Sequence, residues 1–199
     1  MISRSPSDKL ADLFKLQNLM SDFAKIKRAV YHPNHKAEND PEHSLTLAFA
    51  AWHLARDNES LDMTKVIQYA MVHDLVEIYA GDTPAFSEKV ASKASREKAA
   101  LEEIRANFPE FPEICAAIDD YENLANEEAK FVYALDKLMP PIVNLVADDY
   151  GWKKHEMNPS RMNDIRKEKV KISPEIEEID KEVAKLLSEQ PDYSKKEEI

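Results

Sequence analysis

The stretch LDMTKVIQYAMVHDLVEIYAGD, from Leu61 to Asp82, decides how this chain is read. Apolar residues cover nearly every side of its C-terminal half, the mark of a helix inside a core. At about 100° per residue, His73, Asp74 and Glu77 fall within one arc of roughly 100°. Burying ionisable groups is costly unless they are paired or bind a metal. Three of them on one buried face call for a partner, and a divalent cation would satisfy them together.

Working outward, helices are expected throughout. Only two glycines, Gly81 and Gly151, stand against eleven prolines, a composition that leaves little for hairpin turns. No convincing strand alternation and no internal repeat is found. A first helix is predicted from Ser7 to Val30, with Leu10, Leu13, Phe14, Leu16, Leu19, Phe23 and Ile26 inward, then a loop from Tyr31 to Asn39. Asp40 reads as the N-cap of a second helix, Pro41 as its first residue. The helix around His73 ends at Gly81-Asp82-Thr83-Pro84. Further helices are predicted over Ser87–Asn107, Glu113–Leu124, Glu127–Asp148 (kinked at Pro140-Pro141), Pro159–Val170 and Pro174–Leu187. One domain over residues 1–188 follows, with a core over about 10–145, a C-terminal extension of open role over about 150–188 and a polar tail over 189–199.

Thirty-eight acidic against 27 basic residues give a net charge of −11, which argues against a nucleic-acid polymer as partner. No apolar run approaches the roughly 18 residues that span a bilayer, so no membrane partner is expected. Met1 to Asp8 shows no signal-like apolar segment, and the single Cys115 fits a reducing compartment. A cytoplasmic protein is expected.

Two more residues match what His73 and Asp74 need: His43, in the first turn of its helix, and Asp136, the lone carboxylate of Phe131–Met139. Two imidazoles and two carboxylates suit a first-row divalent metal with open positions for water and substrate. The full set is Glu-His-Ser at a helix start, His-Asp-x-x-Glu in a buried helix, Gly-Asp-x-Pro after it, and a late buried Asp. In this set the chain, over about Leu10 to Leu145, resembles the HD-domain metal-dependent phosphohydrolases, and within them the 5′-deoxynucleotidase branch.

The resemblance implies an HD-domain helical bundle, one divalent ion (Mn, Co, Fe, Ni, Zn or Mg) and a homodimer. It implies metal ligands His43, His73, Asp74 and Asp136, catalytic roles for Glu77 and Asp82 at the attacking water, and contact of Arg28 with the substrate phosphate. The activity implied is removal of phosphate from (deoxy)nucleoside 5′-monophosphates by a metal-activated water. The branch carries an aromatic residue next to that arginine or a few positions on; Ala29 follows Arg28 here, and Tyr31 is the candidate to fill the space.

Plainer readings stand beside each role. Asp136 could pair with Lys137 or Arg28, Asp82 could cap the turn at Gly81, and Arg28 could be a helix-end cation. Lys89 and Lys93 could help hold phosphate, but a solvated helix face is the default; His32 and His35 look like a metal pair, but their loop makes them solvent-facing. The alternatives for the whole are hydrolysis of another small phosphate ester or nucleoside polyphosphate, a non-catalytic metal-binding or regulatory HD module, and a metal-free helical interaction protein.

Overall fold

The computed structural model describes residues 4–84 and 87–194. Helix α1 (Pro6–Phe23) starts from Ser5, whose hydroxyl accepts from the Asp8 amide while Asp8 reaches back to the Ser5 amide. It stops seven residues short of the expected end at Val30. The chain instead forms strand β1 (Lys27–Tyr31), paired antiparallel with β2 (Ala37–Asn39). The predicted loop is thus largely a hairpin, its turn closed by the His32 amide on the Lys36 carbonyl and by His35 at φ 64°. Strands this short offer too few residues for alternation to show.

The inward face expected for α1 is also corrected. Leu19 and Phe23 are buried, but Leu10, Leu13 and Phe14 are exposed. Periodicity identifies an apolar face, not whether anything in the same chain covers it.

Helix α2 (Asp40–Ala55) is capped by Asn39 and not by Asp40; Asn39 and Glu42 satisfy each other's amides across the first turn. Helix α3 (Met63–Val72) is capped by Asp62, whose carboxylate accepts from the Thr64 and Lys65 amides. The single helix expected through Gly81 breaks after Val72. Bonds from Leu75 to Val72 and from Glu77 to Asp74 span three residues instead of four, tightening the chain before α4 (Glu77–Ala80). A 3₁₀ turn (Glu88–Ser92) precedes α5 (Lys93–Asn107), where one continuous helix was expected.

Then come α6 (Pro112–Glu122), α7 (Glu127–Val146), α8 (Tyr150–Lys154), α9 (Pro159–Val170) and α10 (Pro174–Ser188). Helix α7 runs on through Pro140 and Pro141. The short α8 was not expected; Asp148 and Asp149, both at positive φ, turn the chain into it. Helices α9 and α10 pack on α7 and on each other, and Val170, Ile176, Val183 and Leu187 join its core.

Two apolar clusters result. One joins α2, α3, α7, α9 and α10; the other joins α1, α5, α6 and the Leu75–Val76 segment. His73 and Asp74 sit where the chain passes from the first cluster to the second. Among the described residues no helix is long and apolar enough to cross a membrane.

Candidate metal centre

His73 is the C-cap of α3 and is 2% exposed. Its Nδ1 lies 3.0 Å from the Ala70 carbonyl, a bond it can only donate, which leaves the Nε2 lone pair free. That Nε2 is fully buried and makes no hydrogen bond. It lies 3.0 Å from Asp74 Oδ2 and 3.7 Å from Asp136 Oδ1. His43, held in the capped first turn of α2, puts Nε2 2.9 Å from Asp136 Oδ1 and 4.0 Å from Asp74 Oδ2. Behind the ring, Glu38 Oε2 stands 3.6 Å from His43 Nδ1.

The structure therefore brings His43, His73, Asp74 and Asp136 together from three distant segments. Donors at about 2.0–2.2 Å from a shared cation stand roughly 3–4 Å from one another, which these separations match. Two sets of three residues, His43/His73/Asp74 and Asp40/Asp74/Glu77, have one donor atom each all within 4.8 Å. With an orphaned imidazole nitrogen among them, the residues present fit a divalent cation.

The field points the same way. Burial alone would lower the pKa of His73, but Asp74 and Asp136 reverse this and push it up to about 10. Negative potential that holds a proton there also attracts a cation. Burial would raise Asp74, yet His73 and Arg28 hold it well below the carboxylate range. Asp136 is likewise held far down, against burial, by Lys137 and the two imidazoles.

Arg28 is not at a helix end. It lies on β1, with Nη1 2.6 Å from Asp74 Oδ2 and 3.4 Å from Asp40 Oδ1, and its Nε is 3.4 Å from Glu38 Oε2. Asp136 turns Oδ1 towards the imidazoles, while Lys137 Nζ sits 2.6 Å from Oδ2, the pairing weighed against a ligand role. Glu77 is 2% exposed; Oε1 accepts from Lys93 Nζ at 3.2 Å and Oε2 has no partner. Burial, then the charge of Asp74, push its carboxyl up to about 9 against the pull of Lys93. Asp82 follows Gly81, whose φ of 72° and ψ of 146° suit glycine alone, and burial raises its pKa.

Some participants escaped the sequence reading. Asp40, taken only for a cap, is fully buried beside Arg28, and burial with the nearby Asp74 pushes its carboxyl up to about 7. Glu38, placed in the loop, is 2% exposed. Lys93, read as a solvated face, holds Glu77; the Lys89 side chain lies outside the described residues. Nothing local marked Asp40 or Glu38, because their partner Arg28 reaches them only through the hairpin.

A cavity of about 350 Å³ opens above these groups. Arg28, Asp74, Glu77, Asp82, Lys93, Asp136 and Lys137 line it, as do Val90, Pro140, Pro141, Trp152, Met157, Met162 and Ile165. Tyr31 is not part of this wall: its ring packs on Tyr150 and its hydroxyl faces His155.

A model of the HD domain matches residues 22–179. The chain belongs to the HD-domain family, as a distant homologue of 5′-deoxynucleotidases among its metal-dependent phosphohydrolases. It is 31% identical over 160 residues to 5′-deoxynucleotidase HDDC2 of Mus musculus, covering 78% of this chain and 77% of that one. For the Homo sapiens protein of the same name the identity is 28% over 158 residues, covering 77% and 74%. Among solved structures, a predicted metal-dependent phosphohydrolase from Magnetospirillum magnetotacticum aligns with a TM-score of 0.79 at 26% identity, over 94% of this chain and 96% of the other.

Proposed function

We propose that this protein removes phosphate from (deoxy)nucleoside 5′-monophosphates, with His43, His73, Asp74 and Asp136 as ligands of one divalent ion. The observation that carries the reading is the buried His73 Nε2, which makes no hydrogen bond and faces two carboxylates and His43 just beneath the cavity. The bound ion would supply a water of lowered pKa, from near 15.7 towards about 7 in the strongest cases, and offset charge on the phosphoryl oxygens.

The chain's own residues do the rest. Lys93 fixes Glu77 through Oε1 and leaves Oε2 free; a cation bound beside Asp74 would offset the charge that keeps this carboxyl protonated, so that Oε2, ionised, takes the proton of the attacking water. Asp82, set on the wall by the Gly81 turn, holds a water or substrate oxygen in place. Arg28 is anchored to Asp74 and Asp40 through Nη1 and keeps further N–H donors for the phosphoryl oxygens. As the water oxygen bonds to phosphorus, the bond to the 5′-oxygen breaks, and that oxygen leaves as the nucleoside alcohol once it takes up a proton, either the one Glu77 accepted or one from solvent. Exposed Leu45, Phe49 and Trp52, four and three residues apart on one face of α2, support the expected homodimer.

The test is phosphate release from 5′-mono-, di- and cyclic nucleotides by metal-stripped protein reconstituted with each of Mn, Co, Fe, Ni, Zn and Mg. Metal-dependent release from 5′-monophosphates is expected. Tight metal binding with release from no ester would make the protein a regulatory module instead.

A further inference from the structure

Helix α9 presents one face to the cavity. Met162, Ile165 and Lys169 stand at positions i, i+3 and i+7, a single stripe, and all three line the wall. The neighbouring Arg166 also reaches the cavity but is neutralised: Nε lies 2.6 Å from Asp180 and Nη2 2.7 Å from Asn163. Lys169 differs. Among the described residues it makes no hydrogen bond or ion pair, while the other lysines of the wall are taken up, Lys93 by Glu77 and Glu97, Lys137 by Asp136.

The stripe has a direction. Lys169 lines the cavity together with Asp136, Lys137 and Lys93 and does not border the second cleft, which puts it at the charged end. Met162 and Ile165 border a second cleft shared with His155 and Arg161, away from that floor. Ile165 is 39% exposed, apolar surface left open inside a concave wall. Seven residues at about 1.5 Å each separate the two ends by roughly 10 Å, the reach of a nucleotide from phosphorus to base.

We propose that α9 reads the substrate: Lys169 binds an anionic phosphate oxygen, and Met162 with Ile165 covers the apolar face of the base. The site then takes phosphate monoesters that carry a planar ring system and discriminates against bare sugar phosphates. This rests on the phosphohydrolase reading and adds the determinant of selectivity, which none of the floor residues provides.

The experiment compares kcat and KM of the metal-loaded full chain for a nucleoside 5′-monophosphate and for ribose 5-phosphate. Wild type should prefer the nucleotide. Lys169→Ala should raise KM for both esters about tenfold with kcat within about twofold, and Lys169→Arg should restore most of the loss. Ile165→Asn, which removes apolar surface without adding charge, should raise KM several-fold more for the nucleotide than for ribose 5-phosphate. Unaltered KM in Lys169→Ala, or equal losses on both esters in Ile165→Asn, would overturn the assignment. Release from neither ester by wild type would instead overturn the phosphohydrolase reading itself. The substituted side chains carry no structural bond, so melting temperature and metal content should match wild type in every variant.

Discussion

The floor and the outer wall of the cavity are built on opposite lines. On the floor, β1, α2, the turn after α3, and α7 each contribute a charged group or a candidate metal ligand, and each group is gripped by several others. Asp74 Oδ2 alone lies 2.6 Å from Arg28 Nη1 and 3.0 Å from His73 Nε2. The wall from α8 and α9 has an open isoleucine and an unpaired lysine, tied down by Arg166–Asp180 and by Val170 in the core. Dense mutual contacts fix geometry to the accuracy that proton transfer and metal binding need. Sparse ones leave side chains free to adapt to a bound molecule. On the proposed reading, chemistry and selectivity fall to separate parts of the chain.

That division can be broken most forcefully at Asp74. Asp74→Ala should remove bound metal, measured by elemental analysis, and lower turnover by more than about a hundredfold, since even residues supporting ligands cost 10–100-fold. Full activity in this variant would end the floor assignment. Glu77→Gln separates binding from proton transfer: metal content should stay while kcat falls by about 10²–10⁴. If metal were lost instead, Glu77 would belong with the ligands.

A third change tests the wall. Arg166→Ala strands the buried carboxylate of Asp180, a loss of about 3–5 kcal/mol, or a fall in melting temperature of roughly 10 °C. Metal affinity of the folded protein should not change; a parallel drop would show that wall and floor are one unit.

The smallest effect concerns the cap that holds His43. Burial would raise the Glu42 carboxyl, but bonds from Lys36, His32 and the Asn39 amide bring it down to about 2 from an ordinary 4.5. Its contribution is therefore complete above pH 4.5 and is lost as pH falls towards 2. The melting-temperature gap between wild type and Glu42→Gln should narrow over that window and stay flat above it.

How legible was this in the residues alone? The helix starts at Glu127, Pro159 and Pro174 could be read because a cap or a proline acts within one turn. The break after Val72 could not. A buried helix and a tightened turn show the same apolar pattern over four residues, and packing against two clusters decides between them. Asp40 illustrates the same limit: a carboxylate at a helix start is consistent with capping, and only the hairpin that delivers Arg28 gives it another partner.

By itself the sequence determined a helical domain and a histidine–aspartate motif demanding a cation, since helix periodicity, caps and the cost of buried charge are properties of nearby residues. The tertiary structure alone decided that position 136 meets position 43 at 2.9 Å, that Arg28 turns inward on a strand, and that α9 closes the cavity. Those contacts join segments far apart along the chain, and their geometry is set by how whole helices pack, which no local pattern encodes.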